Sequence, residues 1–299
     1  MIKNFDEVLQ KVESNPNKVV VIAAAHSESV LEAAVHIKKE QIADSLLVGN
    51  KTMILKYLEK YASEMVIDFE IIDTGDDLKL AARESVKAIR EGKAEILVKG
   101  VCDTATLLKA VLNRDNGLRT GEILSDVMVF EHPEKMILMS DGGINLYPTK
   151  DEKVSIIRNA VRVAHGMGCK NPKIALLAAV EKVNKKMPCT VDAAEITEMN
   201  RNGEITGCVI DGPLALDLAI SEKAAKIKGV DSPVAGKADI LIVPNIESGN
   251  IFGKALTYYC KYRTAHLVMG AEAPILIASR ADEAETKMLS MALGVLSIL

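Results

Sequence analysis

The chain has 299 residues, of which 48% are hydrophobic and 26% are charged, and its formal net charge is −4. Such a length allows one large or two medium domains with well-buried cores. Only 3% of the residues are aromatic, Trp is absent and no basic stretch occurs, which argues against nucleic acid as a partner. Five cysteines without a CxxC pair argue against a disulfide framework and against a structural zinc site.

The N-terminal residues 1–13 mix charged and apolar side chains and contain no apolar signal core. The longest apolar runs, such as residues 19–25, have the length of strands and are too short to cross a bilayer. We therefore expect a cytoplasmic protein with reduced cysteines and without a membrane partner.

The first part of the chain repeats a unit in which a short apolar run precedes an amphipathic segment. Runs rich in Val, Ile and Leu predict buried parallel strands, and the segments after them predict helices. The predicted strands are 18–25, 45–48, 69–72 and 95–98, and the predicted helices are 27–39, 51–61, 77–90 and 104–112. Four such units predict an α/β fold with a parallel sheet flanked by helices.

The pattern changes near residues 125–130, where two apolar runs flank residues 131–134 and predict a hairpin. Beyond it the predicted helices are 150–167, 192–201, one from 248 and 282–298, and the predicted strands are 173–178, 206–210, 240–243, 266–269 and 274–278. Residues 221–237 predict a helix end and a loop. So many strands exceed one sheet of ordinary size and favour two α/β domains with a cleft between them.

Six polar segments stand out, nearly all of them directly after predicted strands, where ligands bind in open α/β sheets. In the first, Lys99 and Gly100 precede a helix whose N-terminus favours an anion. A plain turn capped by Asp103 or Thr104 is the alternative. In the second, Arg119 lies between glycines and suits bidentate binding of phosphate, although a solvated loop remains the alternative.

The other four segments carry a carboxylate, an amide or a hydroxyl group. Asp141 lies in a turn after a strand, Asp211 precedes Gly-Pro at a predicted strand end, and Asn250 belongs to a turn-rich segment that opens a helix. Ser279 and Arg280 stand together at a helix start and form a credible oxyanion and phosphate site. The GxGxxG, Walker and GxSxG patterns are absent, which disfavours dinucleotide, P-loop and serine-hydrolase chemistry.

Taken together, these segments resemble the phosphate acetyl/butyryl transferase family, and within it the butyryltransferases more closely than the acetyltransferases. The residues that carry the resemblance are 99–100, 104–106, 117–121, 211–214, 244–250 and 279–282. Their order and spacing along the whole chain make the resemblance more specific than any single motif.

The resemblance implies an isocitrate/isopropylmalate dehydrogenase-like fold of two α/β domains. The first would comprise residues 1–127 completed by 274–299, and the second residues 128–273. It also implies a homodimer or larger homo-oligomer that moves a short acyl group, butyryl above all, between coenzyme A and inorganic phosphate in butanoate metabolism. Neither a metal nor a tightly bound cofactor is expected.

The resemblance matches Ser279 and Arg280 to the catalytic Ser-Arg pair of the acetyltransferases. Their nearby Asp has no counterpart in this sequence, so Asp211 or Glu285 would supply a carboxylate. The substrate-binding residues expected are Lys99, Thr104, Lys109, Arg119, Asp141, Gly212 and Asn250. Lys109 stands where the relatives have a phosphate-binding Arg, which keeps the charge but loses the bidentate fork.

Three alternatives remain open at this point. One is phosphate acetyltransferase, which only the acyl preference would separate from the butyryl enzyme. Another is an NAD-dependent dehydrogenase of the same fold, which would need a metal-binding carboxylate cluster that the sequence does not suggest. The last is a non-catalytic protein that binds coenzyme A.

Overall fold

The computed structural model describes residues 2–13, 18–277 and 283–299. The chain divides into two compact units. The N-terminal unit comprises Phe5–Glu122 and Ala265–Leu299, and the middle unit comprises Met1–Asn4 and Ile123–Thr264.

Strands and helices alternate along the described residues. The strands are β1 (Val19–Ala23), β2 (Asp44–Gly49), β3 (Glu70–Asp73), β4 (Ile96–Lys99), β5 (Ser125–His132), β6 (Lys135–Ser140), β7 (Lys173–Leu177), β8 (Val209–Leu214), β9 (Ile240–Ile242), β10 (Thr264–Met269) and β11 (Ile275–Leu276). The α-helices are α1 (Phe5–Glu13), α2 (Glu28–Lys39), α3 (Lys51–Ala62), α4 (Leu78–Arg90), α5 (Thr104–Val111), α6 (Lys150–Gly166), α7 (Pro188–Arg201), α8 (Leu216–Ile220), α9 (Glu222–Lys228), α10 (Ile246–Lys254) and α11 (Ala284–Leu296). A 3₁₀ helix (Ser63–Asp68) follows α3, and a π-helix (Ala255–Tyr259) follows α10.

In the N-terminal unit the strand order is β3-β2-β1-β4-β11-β10. All neighbouring pairs are parallel except β10 with β11. In β1, Val20–Ala23 are buried, as expected for a strand covered on both faces. The predicted α/β class is therefore confirmed. The order reverses between β1 and β4, which makes the carboxyl ends of these two strands the switch point where such sheets bind ligands.

Two helices at the ends of the chain complete this unit. Helix α11 packs on α1 and α2, and its Gly294 lets it approach the sheet, because a Cβ there would lie 3.3 Å from side-chain atoms of Ile96 and Leu276. Helix α1 is not among the predicted elements, although its buried residues Phe5 and Val8 follow helical spacing.

In the middle unit the strand order is β5-β6-β9-β7-β8. Strands β5 and β6 form an antiparallel hairpin in which Phe130 faces Ile137, which confirms the predicted hairpin. The other pairs are parallel. The buried side chains of α6, such as Val154 and Ile157, follow the spacing of one helix face.

Strand β8 differs from the predicted strand 206–210, because it continues through Gly212 and Pro213 to Leu214. It stands at the end of the strand order, and an edge strand tolerates proline because one side of its backbone needs no hydrogen bond. Asp211 therefore lies within a strand and not at the strand end that the Gly-Pro pair predicted.

Among the described residues, no helix has the length and apolar character required to cross a membrane. In the same part of the chain, no group of three or more His, Cys, Asp and Glu side chains could hold a metal ion.

Candidate active site

The turn after β4 interlocks with the turn after β1 at the switch point. The amide of Gly100 donates to the carbonyl of Ala23 at 2.8 Å, and the amide of Val101 donates to the carbonyl of Ala24 at 2.9 Å. A Cβ on Gly100 would lie 2.2 Å from the Ala24 carbonyl oxygen, so this position accepts only glycine. The two turns together fix where α5 begins.

Lys99 ends β4 and is buried, with a relative exposure of 6%. Its ammonium group donates to the carbonyl oxygens of Gly100 and Cys102, both at 3.2 Å. The charge of Lys99 is thus held inside the loop that leads into α5. Burial raises the pKa of the Cys102 thiol, an effect that the nearby Lys99 charge partly offsets, so this thiol stays protonated near neutral pH.

The N-terminus of α5 is capped by Asp103. Its carboxylate accepts the amide of Thr106 at 2.9 Å and the hydroxyl of Thr106 at 2.7 Å. The pKa of Asp103 lies below its usual value because of these two hydrogen bonds. Asp103, of the two caps considered from the sequence, therefore fills this role, and Thr104 is the first residue of the helix.

A groove of about 790 Å³ runs between α4 and α5. Five cationic side chains and two carboxylates line it, which gives a net charge of +3 (5 − 2). The charged lining residues are Lys79, Arg83, Lys87, Arg90 and Lys109, with Glu84 and Glu91. Its size falls within the range of small-molecule sites, and its charge suits an anion that carries several phosphates.

The two carboxylates of the groove compensate only part of its positive charge, and Glu91 also lies 2.8 Å from Lys93 outside the groove. Lys87 lies 3.5 Å from Glu84 and 3.9 Å from Glu91. Within the described part of the chain, Lys79, Arg83 and Lys109 form no ion pair. These three cationic side chains are therefore available to an anionic ligand.

Sequence reasoning identified only Lys109 among these residues. A signal for the others was present, because Lys79, Arg83 and Lys87 recur every four residues and so lie on one face of α4. This spacing alone is weak evidence for a binding site, because a row of charged residues on a helix usually faces solvent.

Arg119 lies on a well-fixed loop. Leu118 beside it is fully buried, and its amide donates to the carbonyl of Val111 at 2.7 Å. The hydroxyl of Thr120 donates to the carbonyl of Gly270 at 2.6 Å. The Arg119 side chain is exposed and forms neither a hydrogen bond nor an ion pair within the described residues. The loop therefore presents a guanidinium group that is available for phosphate.

In the middle unit, Asp141 follows β6 and is buried, with 3% relative exposure. Burial raises its pKa, and the nearby negative charge of Asp126 raises it further, while donors from Gly143, Ile144 and Asn145 act in the opposite direction. Asn250 lies on α10, and its amide nitrogen makes a long hydrogen bond of 3.4 Å to the carbonyl of Gly142. Asp141 and Asn250 are thus brought into one local structure.

Asp211 and Gly212 are engaged within β8 and its surroundings. The carboxylate of Asp211 lies 3.5 Å from the guanidinium of Arg201 and accepts the amide of Gly212 at 3.0 Å. A Cβ on Gly212 would lie 2.7 Å from the Cβ of Leu176, so glycine allows β8 to approach β7. Both residues have a clear structural task in this arrangement.

Ser279 and Arg280 lie outside the described residues, so the catalytic Ser-Arg pair stays a prediction. Glu285, the other carboxylate considered from the sequence, is exposed in the first turn of α11.

Cationic groups at the carboxyl ends of parallel strands and at a helix N-terminus are typical of α/β enzymes that act on phosphate-bearing substrates. The chain belongs to the protein family described as Phosphate acetyl/butaryl transferase, whose match covers residues 56–295. It is therefore an acyltransferase, and the predicted family and enzyme class are confirmed.

Its relatives share almost the whole length of the chain. It is 47% identical over 298 residues to the phosphate butyryltransferase of Clostridium acetobutylicum, covering 99% of this chain and 98% of the relative. It is 41% identical over 292 residues to the phosphate acetyltransferase of Thermotoga maritima, covering 97% and 98%. A solved structure, the branched-chain phosphotransacylase from Enterococcus faecalis V583, is similar with a TM-score of 0.83 at 33% identity and covers 94% of this chain and 99% of that chain.

Proposed function

We propose that the enzyme reversibly transfers a short acyl group, preferentially butyryl, between coenzyme A and inorganic phosphate. The butyryl preference rests on the 47% identity to a phosphate butyryltransferase, compared with 41% to an acetyltransferase. An oxygen of hydrogen phosphate attacks the thioester carbonyl carbon, and the carbon–sulfur bond breaks. The acyl phosphate forms, and the thiolate of coenzyme A takes the proton that phosphate gives up.

Positioning and charge stabilisation account for the proposed catalysis. Arg280 and Arg119 hold phosphate against its repulsion from the anionic thioester, and the buried charge of Lys99 adds to the local positive potential. Ser279 donates a hydrogen bond to the carbonyl oxyanion or the leaving sulfur. Phosphate is a nucleophile without a strong base, so this mechanism does not depend on Asp211, whose carboxylate lies beside Arg201.

The observation that carries the proposal is the cationic groove between α4 and α5. Coenzyme A bears a pyrophosphate and a further phosphate on its ribose, so it needs several cations in one elongated site. Lys79, Arg83 and Lys109 offer three charges without an ion pair among the described residues. Thr106 of α5 also lines the groove, and Thr104, two residues earlier, stays a proposed substrate contact. We assign the phosphate-bearing end of coenzyme A to this groove.

The groove is tested by neutralising its charge. The double variant R83Q/K109Q should raise KM for butyryl-CoA about tenfold, because it removes two exposed ionic contacts of up to about 1 kcal/mol each, and about 1.4 kcal/mol corresponds to a factor of ten. The KM for phosphate should stay unchanged. A control variant, K223Q/K226Q, removes the same charge from the surface of α9 and should leave both KM values as they are. Equal effects of the two double variants, or a change in the KM for phosphate alone, would remove the groove from the proposal.

The proposal also includes several properties that the sequence predicts. They are the isocitrate/isopropylmalate dehydrogenase-like fold, a homo-oligomeric enzyme, a cytoplasmic location, a role in butanoate metabolism and catalysis without a tightly bound cofactor. Substrate contacts from Gly212 and Asn250 belong to the same set.

A further inference from the structure

The carboxylate of Asp141 is filled by donors from its own loop. One oxygen accepts the amides of Gly143 at 2.8 Å and Ile144 at 3.0 Å. The other accepts the amide of Asn145 at 3.1 Å and its side-chain nitrogen at 2.6 Å. Asn145 is itself tied to the carbonyl of Leu124 at 2.8 Å.

Four donors occupy about all the sites that an ionised carboxylate offers. The group is also almost completely buried. Asp141 therefore has no capacity left to bind a substrate hydroxyl or amide, and a phosphate would be repelled by its charge. The role of Asp141 is therefore to anchor the backbone of residues 142–145 through these hydrogen bonds.

The anchored turn lies directly against α10. A Cβ on Gly249 would lie 2.7 Å from the Cα of Gly142 and 2.9 Å from the Asp141 carbonyl oxygen, so the two backbones are in contact. The amide of Ile246 donates to the carbonyl of Leu146 at 3.0 Å. Because the contact involves backbone on both sides, a shift of the turn must move the beginning of α10.

We infer that Asp141 is a positioning residue of the acyl-transfer site, which fixes the turn 142–145 and, through it, Asn250 on α10. This inference rests on the proposed function, in which Asn250 contacts the substrates. Asp141, which the sequence predicts to bind substrate, is thus assigned an indirect role through Asn250.

The inference is tested by a double-mutant cycle with D141N and N250A. An asparagine at position 141 turns a donor toward two other donors in either orientation of its amide, so the turn loosens. D141N should lower kcat/KM for butyryl-CoA by about 10- to 100-fold, the scale of a displaced positioning group. If Asp141 acts through Asn250, the double variant should lie within about threefold of the worse single variant.

A general loss of stability is separated from this effect by a matched control in the same unit. Asn200 also ties a loop through three hydrogen bonds, to Ile205 at 2.8 Å, Cys208 at 3.1 Å and Ile210 at 2.9 Å. N200A should lower the midpoint of thermal unfolding but leave kcat/KM unchanged. If D141N does not fold, N145A removes one of the four donors and should give the same pattern with a smaller loss.

Two results would overturn the inference. One is a folded D141N enzyme, or a folded N145A enzyme in its place, with unchanged kcat/KM. The other is a full additional loss when the same change is made in the N250A background. Failure of the proposed function looks different, because the unmodified enzyme would then release no coenzyme A in the presence of phosphate.

Discussion

Lys99 and Asp141 show what a charged residue at a strand end can do. Lys99 is the last residue of β4 and Asp141 is the first residue after β6, and both form hydrogen bonds with the backbone of their own loop. Their positions could be predicted, because ligand sites lie at the carboxyl ends of parallel strands. Their partners could not, since a buried charge bonds to whichever groups the folded loop presents. Arg119 differs from both, because its charged side chain is exposed and forms no hydrogen bond within the described residues.

His26 follows β1 and has a lowered pKa. Burial lowers it below the usual 6.5, and the charge of Asp76 offsets part of the shift. The folded protein therefore binds fewer protons than the unfolded chain between the lowered value and 6.5, so the free energy of unfolding should fall as the pH drops below about 6.5. H26Q should remove this part of the pH dependence.

Urea unfolding of both proteins between about pH 5 and 7 measures the difference. An NMR titration of the wild-type protein should in addition show His26 titrating below 6.5, its ordinary value. The same pH dependence in H26Q, or titration of His26 above that value, would contradict this account of its environment.

At the scale of elements, the alternation of strands and helices could be predicted because burial on both faces leaves continuous apolar runs in parallel strands. Helix α1 is missing from the predicted elements although its buried residues Phe5, Val8 and Val12 have the spacing of one helix face, so the signal was present in the sequence. Strand β8 was misplaced, since proline is tolerated at a sheet edge and the sequence does not reveal which strand is the edge. The cationic residues of α4 are regularly spaced in the sequence, but they line a groove only because α5 packs beside α4.

Two helix caps offer a matched comparison. The Thr149 side chain at the start of α6 forms a full capping box with Glu152, whereas Ser27 at the start of α2 makes no side-chain capping bond. T149A should therefore reduce the free energy of unfolding by about 1 kcal/mol, and S27A should have little effect. Urea unfolding of the two variants checks this, and equal losses would show that the capping box adds no stability.

At the scale of the whole molecule, the charge distribution favours one particular place for an anionic substrate. The chain has a net charge of −4, whereas the charged side chains that line the α4–α5 groove sum to +3 (5 − 2). A local positive field on an acidic protein raises the concentration of anions where they are needed. The binding of coenzyme A should accordingly weaken as the ionic strength rises.

The central claim is that phosphate accepts the acyl group. The measurement that tests it most directly is the release of the coenzyme A thiol from acetyl-, butyryl- and isobutyryl-CoA by the purified protein, with and without phosphate. The account predicts release only with phosphate, equal amounts of thiol and acyl phosphate, and the fastest turnover with a four-carbon chain. The difference from acetyl-CoA should be moderate, since each methylene in an apolar pocket contributes about 1–3 kcal/mol. Release that does not depend on phosphate, or no release from any of the three thioesters, would contradict it.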